Sequence, residues 1–112
     1  MAKLERVFTG DFNYLLSVIE KGILEGSVSA SLEGASDFYE GNSRCAVRVF
    51  ERYSYAGGNR VSMSVTLFQS GDRIHLSAIT AGGSQAVLFK FNTLGEESFL
   101  GKLEEVLNSI GR

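Results

Sequence analysis

The sequence predicts an α+β fold: an antiparallel sheet of five to six strands with two helices packed on one face, in the order strand, helix, strands, helix. Three observations predict it. From Arg44 to Phe91, apolar and polar side chains alternate at period two through four successive segments. One stripe of apolar residues at helical spacing precedes that run, and a second follows it. Each helix then carries one apolar stripe and the sheet one apolar face, and the economical arrangement buries all three against each other, leaving the far side of the sheet open.

Leu4–Thr9 is a short first strand, with Leu4, Arg6 and Phe8 opposite Glu5 and Val7. After Gly10, Asp11 is placed to cap a helix with its carboxylate. Phe12, Leu15, Leu16, Ile19 and Ile23 form the stripe of that helix. Gly22 weakens it late and Gly26 ends it. Ser27–Glu33 alternates Val28, Ala30 and Leu32 with Ser27, Ser29 and Ser31, which predicts a half-buried strand with a hydroxyl-rich outer face. The stretch from Gly34 to Ser43 then reads as a long connection, a lid or an irregular edge.

The central run divides into strands Arg44–Tyr55, Arg60–Gln69, Arg73–Thr80 and Gln85–Phe91, separated by Gly57-Gly58-Asn59, Ser70-Gly71-Asp72 and Gly82-Gly83. The alternation sets Cys45, Val47 and Val49 inward, with Val61, Met63, Val65, Leu67, Ile74, Leu76 and Ala78, then Val87, Phe89 and Phe91. It sets Arg44, Arg48, Phe50, Arg52, Arg60, Phe68, Arg73, His75, Ile79 and Lys90 outward, among serines and Thr66. Glu51 falls on the apolar side, where a bulge or the strand's exit from the core would accommodate it. A second helix spans Gly95–Ile110, with Phe99, Leu100, Leu103, Val106, Leu107 and Ile110 as its stripe. Thr93 and Glu96 have the spacing of a capping box.

A chain of 112 residues is expected to form one domain, 1–112, large enough to bury a core without disulfides or a metal. No apolar run approaches the roughly 20 residues of a membrane span, and no membrane association is expected. Lys3, Glu5 and Arg6 stand where a secretory signal would place apolar residues. With a single cysteine, the expected compartment is the reducing cytoplasm. The net charge of −2 is unevenly distributed. The central run holds Arg44, Arg48, Arg52, Arg60, Arg73 and Lys90 against Glu51 and Asp72, whereas both flanks are acidic.

The strand–helix–four-strand–helix plan resembles that of the TATA-binding-protein-like fold and its helix-grip relatives, a likeness of layout that assigns no function. A closer likeness rests on Arg44-Cys45-Ala46-Val47-Arg48, Glu51-Arg52-Tyr53-Ser54-Tyr55, Gly58-Asn59-Arg60-Val61-Ser62, Gly82-Gly83-Ser84-Gln85-Ala86 and Gly95-Glu96-Glu97. These segments resemble those of a family of short bacterial proteins of unknown function. The resemblance implies a compact bacterial domain and carries over no activity.

No catalytic or cofactor motif stands out. His75 is the only histidine, and a catalytic role needs a nucleophile or carboxylate in hydrogen-bond reach; the plainer reading is a surface strand histidine. Cys45, on the apolar side, reads as a buried structural thiol. One Cys and one His on opposite faces do not make a zinc site, and no metal or cofactor is expected. The glycine-rich turns lie between strands, unlike a phosphate-binding loop, which opens a helix.

The outward face is the most informative feature. Arg48, Phe50, Arg52, Arg60, Phe68, Arg73, His75 and Ile79 are the candidate interface or ligand residues. A plain solvated face with scattered apolar residues explains them most simply. As a function, the expectation is a non-enzymatic binding or assembly module forming a homodimer through this face. Two alternatives stand beside it. One is a small hydrophobic-ligand carrier of helix-grip type, lined by Met63, Val65, Leu76, Phe89 and Phe99 with Tyr53 or Tyr55 at the rim. The other is an anionic ligand or nucleic acid on the basic face, which the acidic overall composition and the lack of an RNA-binding motif disfavour.

Overall fold

The computed structural model describes residues 1–54, 59–82 and 89–110. It is an α+β fold with the element order β1 (Ala2–Thr9), α1 (Phe12–Gly26), β2 (Ser31–Glu40), β3 (Ser43–Ser54), β4 (Asn59–Ser70), β5 (Arg73–Gly82) and α2 (Phe89–Ile110). The strands form one sheet in the order β1-β5-β4-β3-β2, every neighbouring pair antiparallel. β1 and β2 are therefore opposite edges, and α1 carries the chain from one to the other.

Both helices cover the same side. Arg48 of β3 pairs with Val65 of β4, and its guanidinium reaches Glu20 of α1. Arg6 of β1 pairs with Leu76 of β5, on the same face as Val65, and its guanidinium reaches Glu104 of α2. The predicted stripe of α1 is buried throughout, Phe12, Leu15, Leu16, Ile19 and Ile23 retaining 0–7% exposure. Phe99, Leu103 and Leu107 of α2 complete the core from the other helix. The helices touch closely at Gly22, where a Cβ would lie 2.6 Å from Cγ2 of Val106. The glycine that weakens α1 as an isolated helix is the seat of α2.

Four expectations are corrected. The first concerns β3. Val61, Met63, Val65 and Leu67 of β4, and Ile74, Leu76 and Ala78 of β5, are buried at 0–2% as the alternation requires. β3 has the opposite parity: Ala46 and Phe50 are buried at 1% and 0%, with Arg48 between them at 8%, while Cys45, Val47 and Val49 are half-buried on the other side. Phe50 offers far more apolar area than a valine, so burying it outweighs leaving two valines and a cysteine outside. Once parity is inverted no slip is needed at Glu51, which lies on the open side and pairs with Arg60 at 2.9 Å.

The second concerns β2. Residues 27–30 are not a strand: a turn closes from the Ala30 N–H to the Ser27 carbonyl, and Val28 is fully exposed. The strand is Ser31–Glu40: residues 31–33 overlap the predicted strand, 34–40 fall in the stretch read as a connection or an irregular edge, and the pairing with β3 shifts register between Leu32 and Gly34. That bulge disrupts the alternation by which a strand is recognised. The third concerns the last predicted strand. Phe89, Lys90 and Phe91 belong to α2, while residues 85–88 lie outside the described residues. A short apolar run suits either period. Thr93 consequently lies inside the helix and not at its start. Glu96, buried at 7%, instead accepts a hydrogen bond from the Gly82 N–H at 2.8 Å and lies 2.7 Å from the Met1 amino group. The fourth is the Asp11 cap: the residue is in place and its carbonyl accepts from the Leu15 N–H, but its carboxylate makes no capping bond.

Candidate interaction face

Inverting β3 redistributes the candidate residues. Arg60, Phe68, Arg73, His75 and Ile79 lie on the open face as expected. Arg48, Phe50 and Arg52 do not. They point with Arg44 toward the helices, where Phe50 is core.

The three arginines form a ladder between β3 and α1. Arg44 donates to Asn13 Oδ1 at 2.6 Å, with its guanidinium carbon 4.1 Å from the Phe12 ring centroid and 4.9 Å from that of Tyr39. Its Nε is buried without a hydrogen-bond partner. Arg48 donates from Nε to Glu20 at 2.6 Å, from Nη2 to Asp37 at 3.2 and 3.3 Å, and from Nη1 to the Val47 and Ser36 carbonyls at 3.0 and 3.2 Å. Burial alone would lower its pKa, but the hydrogen bonds and charges of Glu20 and Asp37 outweigh burial and raise it. Arg52 donates to the Ser27 and Ser98 hydroxyls at 2.8 and 2.7 Å, and its guanidinium carbon lies 4.8 Å from the Phe99 ring centroid. Burial lowers its pKa. Along β3 the arginines recur every four residues, and their partners Asn13, Glu20 and Ser27 recur every seven along α1 and the residue that directly follows it.

These arginines are internal fasteners, and the open face loses the basic character expected of it. Register defines its rows. The first runs Phe38, Cys45, Phe68, His75, Val7. The second runs Ser36, Val47, Thr66, Ser77, Glu5, and the third Gly34, Val49, Ser64, Ile79, Lys3. Phe38 is 62% exposed, Val7 56%, and Phe68 and Ile79 42% each. The Phe68 and His75 rings lie 6.2 Å apart beside a shallow open trough that Val7, Thr66 and Ser77 also line. In these rows the charges are Lys3 and Glu5, both on the β1 edge and 3.7 Å from each other. Val7, Phe38, Cys45, Val47 and Val49 are the face residues that sequence reasoning missed. The size of Phe50 was the signal available for the β3 set.

Both sheet edges carry features that discourage strand pairing: Lys3, Glu5 and Arg6 on β1, and the bulge with Glu33, Asp37 and Glu40 on β2. Beneath the helices, Met63, Val65, Leu76 and Phe99 retain 0–2% of their surface. A void wide enough for water would leave accessible area on its walls, so these four side chains belong to packed core; Tyr55 and the side chain of Phe89, also expected to line a carrier's cavity, lie outside the described residues. Among the described residues no three His, Cys, Asp or Glu side chains gather as a metal site would require, and no helix is long and apolar enough to cross a membrane.

No curated protein matches the chain. A family model described as a family of unknown function (DUF6054) matches residues 1–111, and the chain belongs to that family.

Proposed function

We propose that the protein is a non-enzymatic assembly module that forms a homodimer through the open face of its sheet, in a reducing, cytoplasmic setting. The observation that carries this reading is the apolar row of Phe38, Cys45, Phe68 and Val7, extended by Val47, Val49 and Ile79 and hemmed by charges only at its margins. Five strands spaced about 4.8 Å and about ten residues long cover roughly 24 by 33 Å, or roughly 800 Å². That matches the roughly 800 Å² per partner of a standard interface. Hydroxyl-bearing Ser36, Ser64, Thr66 and Ser77 lie between the apolar groups and suit contact with an identical surface, since a hydroxyl both donates and accepts. The turning of Arg44, Arg48 and Arg52 toward α1 takes three of the cations on which nucleic-acid binding would depend off this face, and of those left Lys3 and Arg60 are paired with Glu5 and Glu51.

Sedimentation equilibrium of the wild type and of Phe68→Asp tests the reading. The wild type is expected to have the mass of a dimer at high micromolar concentration. Phe68→Asp, which buries a carboxylate at the centre of the contact, is expected to be a folded monomer. A wild-type monomer at that concentration refutes the proposal.

A further inference from the structure

We infer that His75 gates this assembly by pH, the dimer forming when the imidazole is neutral and separating when it is protonated. The inference rests on the assembly reading above and adds a regulatory device to it. Histidine is the side chain whose ordinary titration changes charge between about pH 5 and 8, and His75 is the only one in the chain. It is exposed and lies in the most apolar row of the face, directly between Phe68 on β4 and Val7 on β1.

The sign follows from its surroundings. On its own strand Arg73 is two residues away on the same face and offers no counter-charge to an imidazolium. β1 supplies Glu5, diagonal to His75, but that carboxylate lies at the sheet edge with the Lys3 ammonium 3.7 Å away. Arg6 turns its guanidinium through to the helix side, onto Glu104. β4 presents Phe68, Thr66 and Ser70, none of them charged. The interior of a facing copy would offer the same rows, with Phe38, Cys45, Phe68 and the valines and no inner carboxylate. A protonated ring trapped there would lose water without gaining a counter-ion, so desolvation sets the direction.

The magnitude is measurable. If only the neutral ring enters the contact, acidification across the ordinary histidine range, from about pH 8 to about pH 5.5, weakens each site roughly tenfold. A two-fold dimer has two such sites, giving a dissociation constant roughly 100-fold larger. Sedimentation equilibrium of the wild type, His75→Gln and His75→Phe at both pH values tests this, with far-UV circular dichroism to verify folding. The wild type should show the roughly 100-fold step. Each variant that dimerises should hold its affinity across the range, and His75→Phe keeps an aromatic ring in the row should glutamine prove too polar to dimerise. A wild-type dimer equally tight, or tighter, at the lower pH overturns the gating and leaves the assembly reading intact. The full step persisting in either variant also overturns it. A wild-type monomer at both values overturns both readings.

Discussion

Arg48→Met is the most direct test of the β3 orientation. Arg48 is 8% exposed and donates to two carboxylates and two backbone carbonyls. Methionine fills much of the same space and removes every one of those bonds. Breaking a fully buried ion pair costs about 3–5 kcal/mol. The side chains of Glu20 and Asp37 are 31% and 36% exposed, so both carboxylates recover part of their hydration and the loss is discounted toward the surface range. Two carbonyls that lose their donor add back something on the order of 1 kcal/mol. The expected destabilisation is therefore about 2 kcal/mol. Urea unfolding would register it as a midpoint lower by roughly 1.3 M, taking a slope of about 1.5 kcal/mol/M. A double-mutant cycle with Glu20→Gln should return a coupling of about 1 kcal/mol, because the two residues share one contact. An Arg48 facing solvent would give a loss within about 0.5 kcal/mol and no coupling. That result would refute the inverted strand and the apolar face that follows from it.

Two further outcomes follow from the same packing. Gly22→Ala, normally a gain of about 1 kcal/mol inside a helix, should instead destabilise by about 1–2 kcal/mol, because the new methyl meets Val106 at 2.6 Å; Val106→Ala in the same chain should restore much of the loss in urea unfolding. Cys45, half-buried on the open face, should react with a thiol reagent in the folded protein at low concentration, slow as the protein is concentrated, and stay fast in Phe68→Asp. Reaction only in denaturant would instead place the thiol in the core.

The legible parts of the fold were those with an unbroken period. The stripe of α1 and the alternations of β4 and β5 are buried as written, because each is long and each apolar set has one exit from water. β3 was ambiguous in kind. Cys45, Val47 and Val49 alternate as cleanly as Ala46 and Phe50, and the side is chosen by two facts that no local window contains: the volume Phe50 fills opposite Met63, and the two carboxylates that await Arg48 on α1 and β2. β2 was concealed for a related reason. Its bulge and its edge position leave Gly34, Ser36 and Asp37 where an interior strand would place apolar residues, and its pairing with β3 makes it a strand. Of the candidate face, Phe68, His75 and Ile79 were readable because β4 and β5 were. The β3 and β2 contributions waited on register.

The mismatch between four-residue steps on β3 and seven-residue steps on α1 acts as a vernier. Four residues of strand advance about 13 Å and seven of helix about 10.5 Å, and the long arginine stems absorb the difference. Sliding α1 by a single turn would carry Asn13, Glu20 and Ser27 out of alignment together, so the helix has one seating along the strand. Any insertion within α1 would carry the partners beyond it off their arginines, which makes the length of this helix a property fixed by the strand beneath it.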